Sequence, residues 1–142
     1  MKVSARNQFK GTVSAVRPGS FYTEVLVHLK GGDNLVATVT KESAQSLAIA
    51  PGKEVIAMIK APHVILVTDF GGYRISARNQ LEGKVVEVKP GAINSEVDIE
   101  LKGGEKVAAT ITNESVEALG LYQGQTATAV FKAGSVILAV AE

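Results

Sequence analysis

Apolar and polar residues alternate along much of this 142-residue chain. Val25, Val27 and Leu29 stand at every second position, and Leu35, Ala37 and Val39 follow in the same rhythm. Period two is the signature of a strand with one buried face. Lys30-Gly31-Gly32 lies between the two runs and predicts a β-hairpin turn. Val55–Lys60 and Val64–Val67 read as two further strands, split by Ala61-Pro62-His63. A first strand is predicted over Val3–Val16, long enough to require a bend near Gly11. One segment departs from the period. Thr40 through Leu47 opens with an N-capping Thr and an acid in the first turn, which predicts a short helix.

The same pattern then occurs a second time. A shift of 72 residues brings Ser4-Ala5-Arg6-Asn7-Gln8 onto Ser76-Ala77-Arg78-Asn79-Gln80 and aligns the halves without a gap. Residues 4–66 and 76–138 share 29 identical pairs out of 63, far beyond chance, so the chain is one fold written twice. The turn residues repeat as well: Pro18-Gly19 with Pro90-Gly91, Lys30-Gly31-Gly32 with Lys102-Gly103-Gly104, and Gly52 with Gly124. In the second copy Val97, Ile99, Leu101, Val107, Ala109 and Ile111 keep the alternation, and Gly120 is placed to cap the helix after Leu119. The expected fold is all-β with one short helix per domain: two tandem five-stranded barrels of the OB type. The expected domains are 1–67 and 75–142, joined by a linker at 68–74 whose Gly71-Gly72 interrupts any regular element. Each copy is near the lower size limit for an independent core, so the copies are expected to pack on each other and on other chains.

Composition narrows the chemistry. The net charge is +1, and aromatic residues make up 5%: Phe9, Phe21, Tyr22, Phe70, Tyr73, Tyr122 and Phe131. A single-strand nucleic-acid binder on such a barrel needs a basic groove with stacking aromatics, so no nucleic-acid partner is expected. There is no cysteine, which removes disulfides and thiolate metal sites. His28 and His63 have no histidine counterpart in the other copy and no carboxylate cluster nearby, and they read as structural or surface residues. No nucleophile elbow, metalloprotease or P-loop pattern occurs, so no enzyme activity is expected. No apolar run approaches the ~20 residues of a membrane helix, and Met1–Lys10 is mostly polar, so a cytoplasmic protein is expected.

Three polar clusters stand in both copies. The first is Ser4, Ala5, Arg6 and Asn7, repeated as Ser76, Ala77, Arg78 and Asn79. The second is Thr40 and Ser43, repeated as Thr112 and Ser115. The third is Lys60-Ala61, repeated as Lys132-Ala133. Together they supply hydroxyls, amides and cations, an inventory suited to an anion. Thr and Ser also open a helix, where free N–H groups and a partial positive charge favour an anion. Each cluster has a plainer reading: a helix cap, a solvated lysine, an edge strand. Their joint repetition favours a ligand, more so because Phe9/Leu81 and Lys10/Glu82, directly after the first cluster, differ.

As a set, SARNQ, the PG and KGG turns, T-x-E-S and K-A-x-x-V-I-L resemble the molbindin or Mop family over nearly the whole chain, twice. The resemblance implies an OB-like fold, hydrogen-bonded molybdate or tungstate as the ligand, no cofactor and no direct metal ligand. It further implies a homotrimer with sites shared between subunits, and a role in intracellular molybdenum storage and homeostasis. The alternative is a molybdate-responsive sensor that acts through a separate protein. One set of ligands would be Ser4, Ala5 and Arg6 with Thr40, Ser43, Lys60 and Ala61. The other would be Ser76, Ala77 and Arg78 with Thr112, Ser115, Lys132 and Ala133. Asn7 and Asn79 belong to the motif. Which SAR segment meets which partner set stays open, as does molybdate against tungstate. Lys41 against Asn113, and Pro62-His63 against Gly134-Ser135, imply sites of unequal affinity. A donor-only site should reject phosphate more strongly than sulfate, because the phosphate proton would lack an acceptor.

Overall fold

The computed structural model describes all residues, Met1–Glu142. The first copy forms β1 (Asn7–Pro18), β2 (Tyr22–Leu29), β3 (Asn34–Thr40), helix α1 (Lys41–Ser46), β4 (Glu54–Ile59) and β5 (Ile65–Val67), with a 3₁₀ turn at Ala61–His63. The second copy repeats them as β6 (Asn79–Pro90), β7 (Asn94–Leu101), β8 (Lys106–Thr112), α2 (Asn113–Leu119), β9 (Thr126–Phe131) and β10 (Ile137–Ala139), with a 3₁₀ turn at Ala133–Ser135. Inward positions are Val25, Val27 and Leu29 on β2, with Leu35 and Ala37 on β3. The period-two reading therefore identifies the buried face correctly.

The first strand starts at Asn7, four residues later than Val3, so Ser4–Arg6 precede the sheet. The irregularity also lies elsewhere. The pairing slips between Val13 and Ala15 in β1, and between Val85 and Glu87 in β6, each a β-bulge. Gly11 instead marks a close approach, since a Cβ there would stand 2.7 Å from the His28 carbonyl oxygen.

The periodicity predicts five strands per copy but does not say which sheet the fifth joins. The order is β10-β4-β1-β2-β3 in one sheet and β5-β9-β6-β7-β8 in the other. Each copy thus lends its last strand to its sibling, β5 pairing with β9 and β10 with β4. A single core of 26 buried residues draws on both copies. Exchange and shared burial make the two halves one packed body.

Asn7 and Asn79 lock this arrangement. Asn7 donates through Nδ2 to the Ala108 carbonyl at 2.9 Å and accepts from the Ala108 N–H at 2.7 Å. Asn79 does the same with Val36, at 2.8 Å for both bonds. A carboxamide carries a donor and an acceptor side by side, so one side chain imitates a strand partner. Ala108 and Val36 lie on β8 and β3, the edge strands of their sheets. Both asparagines are almost fully buried, at 1% and 2% exposure.

Candidate oxyanion site

The Ser4-Ala5-Arg6 and Ser76-Ala77-Arg78 segments are loops that run into β1 and β6. Gln8 shapes the first by donating to the Ala5 carbonyl at 3.1 Å, and Gln80 the second by donating to Ala77 at 3.0 Å and Ile75 at 3.2 Å. Ser4, Arg6, Ser76 and Arg78 are exposed. Each arginine reaches the other copy. Arg78 meets Glu24 on β2 at 2.6 Å, and Arg6 meets Glu96 on β7 at 3.1 Å. Glu24 and Glu96 are equivalent under the 72-residue shift. The hydrogen bond from Arg78, with the charges of Arg78 and Arg17, holds the Glu24 carboxyl below its usual range against the opposing effect of burial. Partial burial pushes Glu96 up, but the hydrogen bond from Lys89 and the charges of Arg6 and Lys89 outweigh it and hold it low.

The hydroxyl pairs form as the capping pattern predicts. Thr40 Oγ1 accepts from the Ser43 N–H at 3.1 Å and donates to Ser43 Oγ at 2.9 Å. Thr112 and Ser115 repeat both bonds at the same distances. With the threonine proton directed to the serine oxygen, the serine proton is free to donate outward. The helix-end reading needs correction, however. The Lys41 and Asn113 N–H groups donate to the carbonyls of Phe21 and Ile93, and the Ser43 and Ser115 N–H groups are taken by the threonines. Helices of six and seven residues also carry little macrodipole. Hydroxyls, rather than a row of free amides, are what these ends present.

Lys60 and Lys132 are exposed at the start of the 3₁₀ turns, with Ala61 and Ala133 buried beneath them. The turn of each copy packs on the third strand of the other: Ala61–His63 on β8, and Ala133–Ser135 on β3. One open cleft accordingly joins Pro62 and Val64 of the first copy to Thr112 and Ser115 of the second. Within a chain, then, the Lys-Ala turn of one copy lies beside the Thr-Ser pair of the other. The arginines are engaged by glutamates, and Asn7 and Asn79 by backbone. Both asparagine carboxamides are thus hydrogen-bonded to an edge strand beside the exposed arginines.

The sequence reading missed Glu24, Glu96, Gln8 and Gln80. The two glutamates match across the 72-residue shift, and both glutamines stand inside the repeated motif; those repeats were the available signals. The arrangement offers cations and hydroxyl donors on an open surface, chemistry for holding an anion. No group of three or more His, Cys, Asp or Glu residues is placed to hold a metal ion. No helix is long and apolar enough to cross a membrane.

Comparison with known proteins fits this geometry. The TOBE domain model matches residues 3–66 and 75–138. A crystal structure of the cytoplasmic molybdate-binding protein ModG, with molybdate bound, superposes with a TM-score of 0.97 at 54% identity, covering 99% of this chain and 100% of that one. The molybdenum transport protein ModE of Herbaspirillum seropedicae is 49% identical over 140 residues, 99% of this chain and 52% of the relative. The molybdenum-pterin-binding protein MopA of Rhodobacter capsulatus is 42% identical over 140 residues, 99% of this chain and 53% of the relative. The chain spans about half the length of these curated relatives. It belongs to the TOBE-domain family, as two Mop-type domains in tandem.

Proposed function

We propose that this protein binds molybdate, and tungstate, as intact oxyanions and serves as an intracellular molybdenum store. The observation that carries the reading is the full-length match to molybdate-bound ModG at 54% identity. The duplicated donors support it: Ser4, Ala5, Arg6 and Ser76, Ala77, Arg78, with the Lys60-Ala61 turn beside Thr112 and Ser115, and the Lys132-Ala133 turn beside β3, which leads into Thr40 and Ser43. Such a set of hydroxyl, backbone and cationic donors suits a fully deprotonated tetrahedron. Association into a homotrimer would complete each site with an arginine-bearing segment from a neighbouring chain. Support for that lies in the exposure of Ser4, Arg6, Ser76 and Arg78 at the chain's surface. No catalytic step and no nucleic-acid partner is part of this reading.

Equilibrium dialysis with molybdate tests it, with sulfate and phosphate as competitors. Wild type is expected to bind several anions per oligomer at micromolar concentration or tighter, phosphate competing least. The double variant Arg6→Ala, Arg78→Ala is expected to lose that binding. Retention of binding without both arginines would reject these residues as ligands, and absence of binding to wild type would reject the function.

A second reading is favoured by the ModE relatives, which this chain matches over about half their length. There the paired domains would act as a sensor whose anion-bound state a separate protein recognises. A stoichiometric, molybdate-dependent partner in a pull-down would support the sensor over the store.

A further inference from the structure

The two arginines meet different electrostatic surroundings, although the backbone around them is the same. Arg78 reaches Glu24, which also accepts from Arg17 at 3.2 Å. That group holds two cations and one carboxylate. Arg6 reaches Glu96, which also pairs with Lys89 at 3.2 Å. Lys89 in turn lies 3.4 Å from Asp98 and 3.8 Å from Glu87. That group holds two cations and three carboxylates. The excess arises in one copy alone, for Glu87 and Asp98 correspond to Ala15 and Leu26. The fold sets the two acids side by side. The bulge between Val85 and Glu87 brings β6 into register with Asp98 on β7, and Asp98 is two residues from Glu96 along the same outward face.

We infer that Glu87 and Asp98 weaken oxyanion binding at Arg6 relative to Arg78, so that one chain carries two affinity classes. The inference rests on the proposed oxyanion reading and adds the residues that tune it. A dianion responds to the summed field of nearby charges as well as to the groups it touches. Going from the Arg78 group to the Arg6 group changes the local formal charge from +1 to −1 (two cations with one carboxylate against two with three). At separations near a Debye length, on a surface of high effective dielectric, two such charges shift a dianion's affinity by about three- to tenfold.

Isothermal titration of the full-length protein with sodium molybdate at low ionic strength tests this. Wild type should show two classes of site. Arg6→Ala should remove the weaker class and Arg78→Ala the tighter one. The neutral pair Glu87→Gln, Asp98→Asn should tighten the weaker class by about three- to tenfold and leave the other unchanged. The reciprocal pair Ala15→Glu, Leu26→Asp should weaken the tighter class. Added salt should narrow the gap in wild type. Should the reciprocal pair fail to fold by circular dichroism, the neutral pair decides alone. A single class in wild type, or an unchanged weaker class in the neutral pair, overturns the inference while leaving oxyanion binding intact. A wild type that binds no molybdate overturns the function and this inference together.

Discussion

At the scale of single residues, the chain assigns neighbouring members of one motif to different tasks. Arg6 and Asn7 are adjacent, yet Arg6 is exposed and paired with a surface glutamate, while Asn7 is buried against an edge strand. Alternation along an extended segment turns successive side chains to opposite faces. Substituting Asn7→Ala leaves both the Ala108 N–H and C=O without their partner. Loss of about 1–3 kcal/mol is expected for each such site, because a buried polar group without a partner carries its desolvation cost. Urea unfolding of Asn7→Ala and Asn79→Ala measures it. Near-wild-type midpoints in both would show that water replaces the carboxamide at no cost. Backbone conformation shows the same local control. Gly120 caps α2 in the left-handed region at φ 58°, as its position predicts. Its counterpart Ala48 takes φ 53° without being glycine, so the fold holds the position there and residue type does not.

At the scale of elements, the hairpin turns of the two copies press closely on each other. Gly31 of the first turn packs on Gly103 of the second so tightly that a Cβ on Gly103 would overlap the Gly31 backbone. Asp33 and Glu105, equivalent residues just after these turns, are drawn together, each with a buried carboxylate oxygen that lacks a hydrogen-bond partner. Burial pushes the Glu105 carboxyl up and the Asp33 charge adds to it, while the Gly31 N–H opposes. A carboxyl whose folded pKa is raised binds its proton more tightly folded than unfolded. Its ionisation therefore costs stability, beginning as pH rises through the unfolded value and complete above the folded one. Glu105→Gln is expected to raise the melting temperature at neutral pH. The gain should disappear as pH falls below the ordinary glutamate range, near 4.5. Thermal melts of both proteins across that range provide the check. Equal melting at neutral pH would mean that the carboxylate is solvated well enough to bear its charge.

At the scale of the whole molecule, strand exchange governs what a half-chain can do. Residues 1–67 contain β5, whose partner β9 lies in the other copy, and they lack β10, which completes their own sheet. An isolated half is therefore expected to be unfolded or to exchange strands with a second identical half. A folded monomer is not expected. Co-expressed halves should reassemble into a molecule of wild-type mass. Sedimentation and circular dichroism of the fragments decide this, and a folded monomeric half would show that β5 can turn back onto β4. The same exchange places the Lys60 turn beside Thr112 and the Lys132 turn beside β3, so each candidate site combines both copies even before chains associate.

Strand count, buried faces, the KGG hairpins, the helix caps and the duplication follow from local rules of period, turn chemistry and self-similarity, and all are readable in the residues alone. The donor types of the candidate site are readable for the same reason, since repetition of Arg, Lys, Thr and Ser marks them. Tertiary structure decided the rest. Whether β5 folds back on its own sheet or crosses to the other depends on the path between Ala61 and Val67 and on shared burial, and neither leaves a mark in periodicity. Nor does the sequence reveal that Asn7 and Asn79 spend their amides on backbone, because a carboxamide serves a ligand and an edge strand equally well. Glu24 and Glu96 stayed hidden as arginine partners because they lie 54 and 90 residues from Arg78 and Arg6. Pairing over such separations is set by how two sheets pack, whereas the pattern along each sheet is set by the residues themselves.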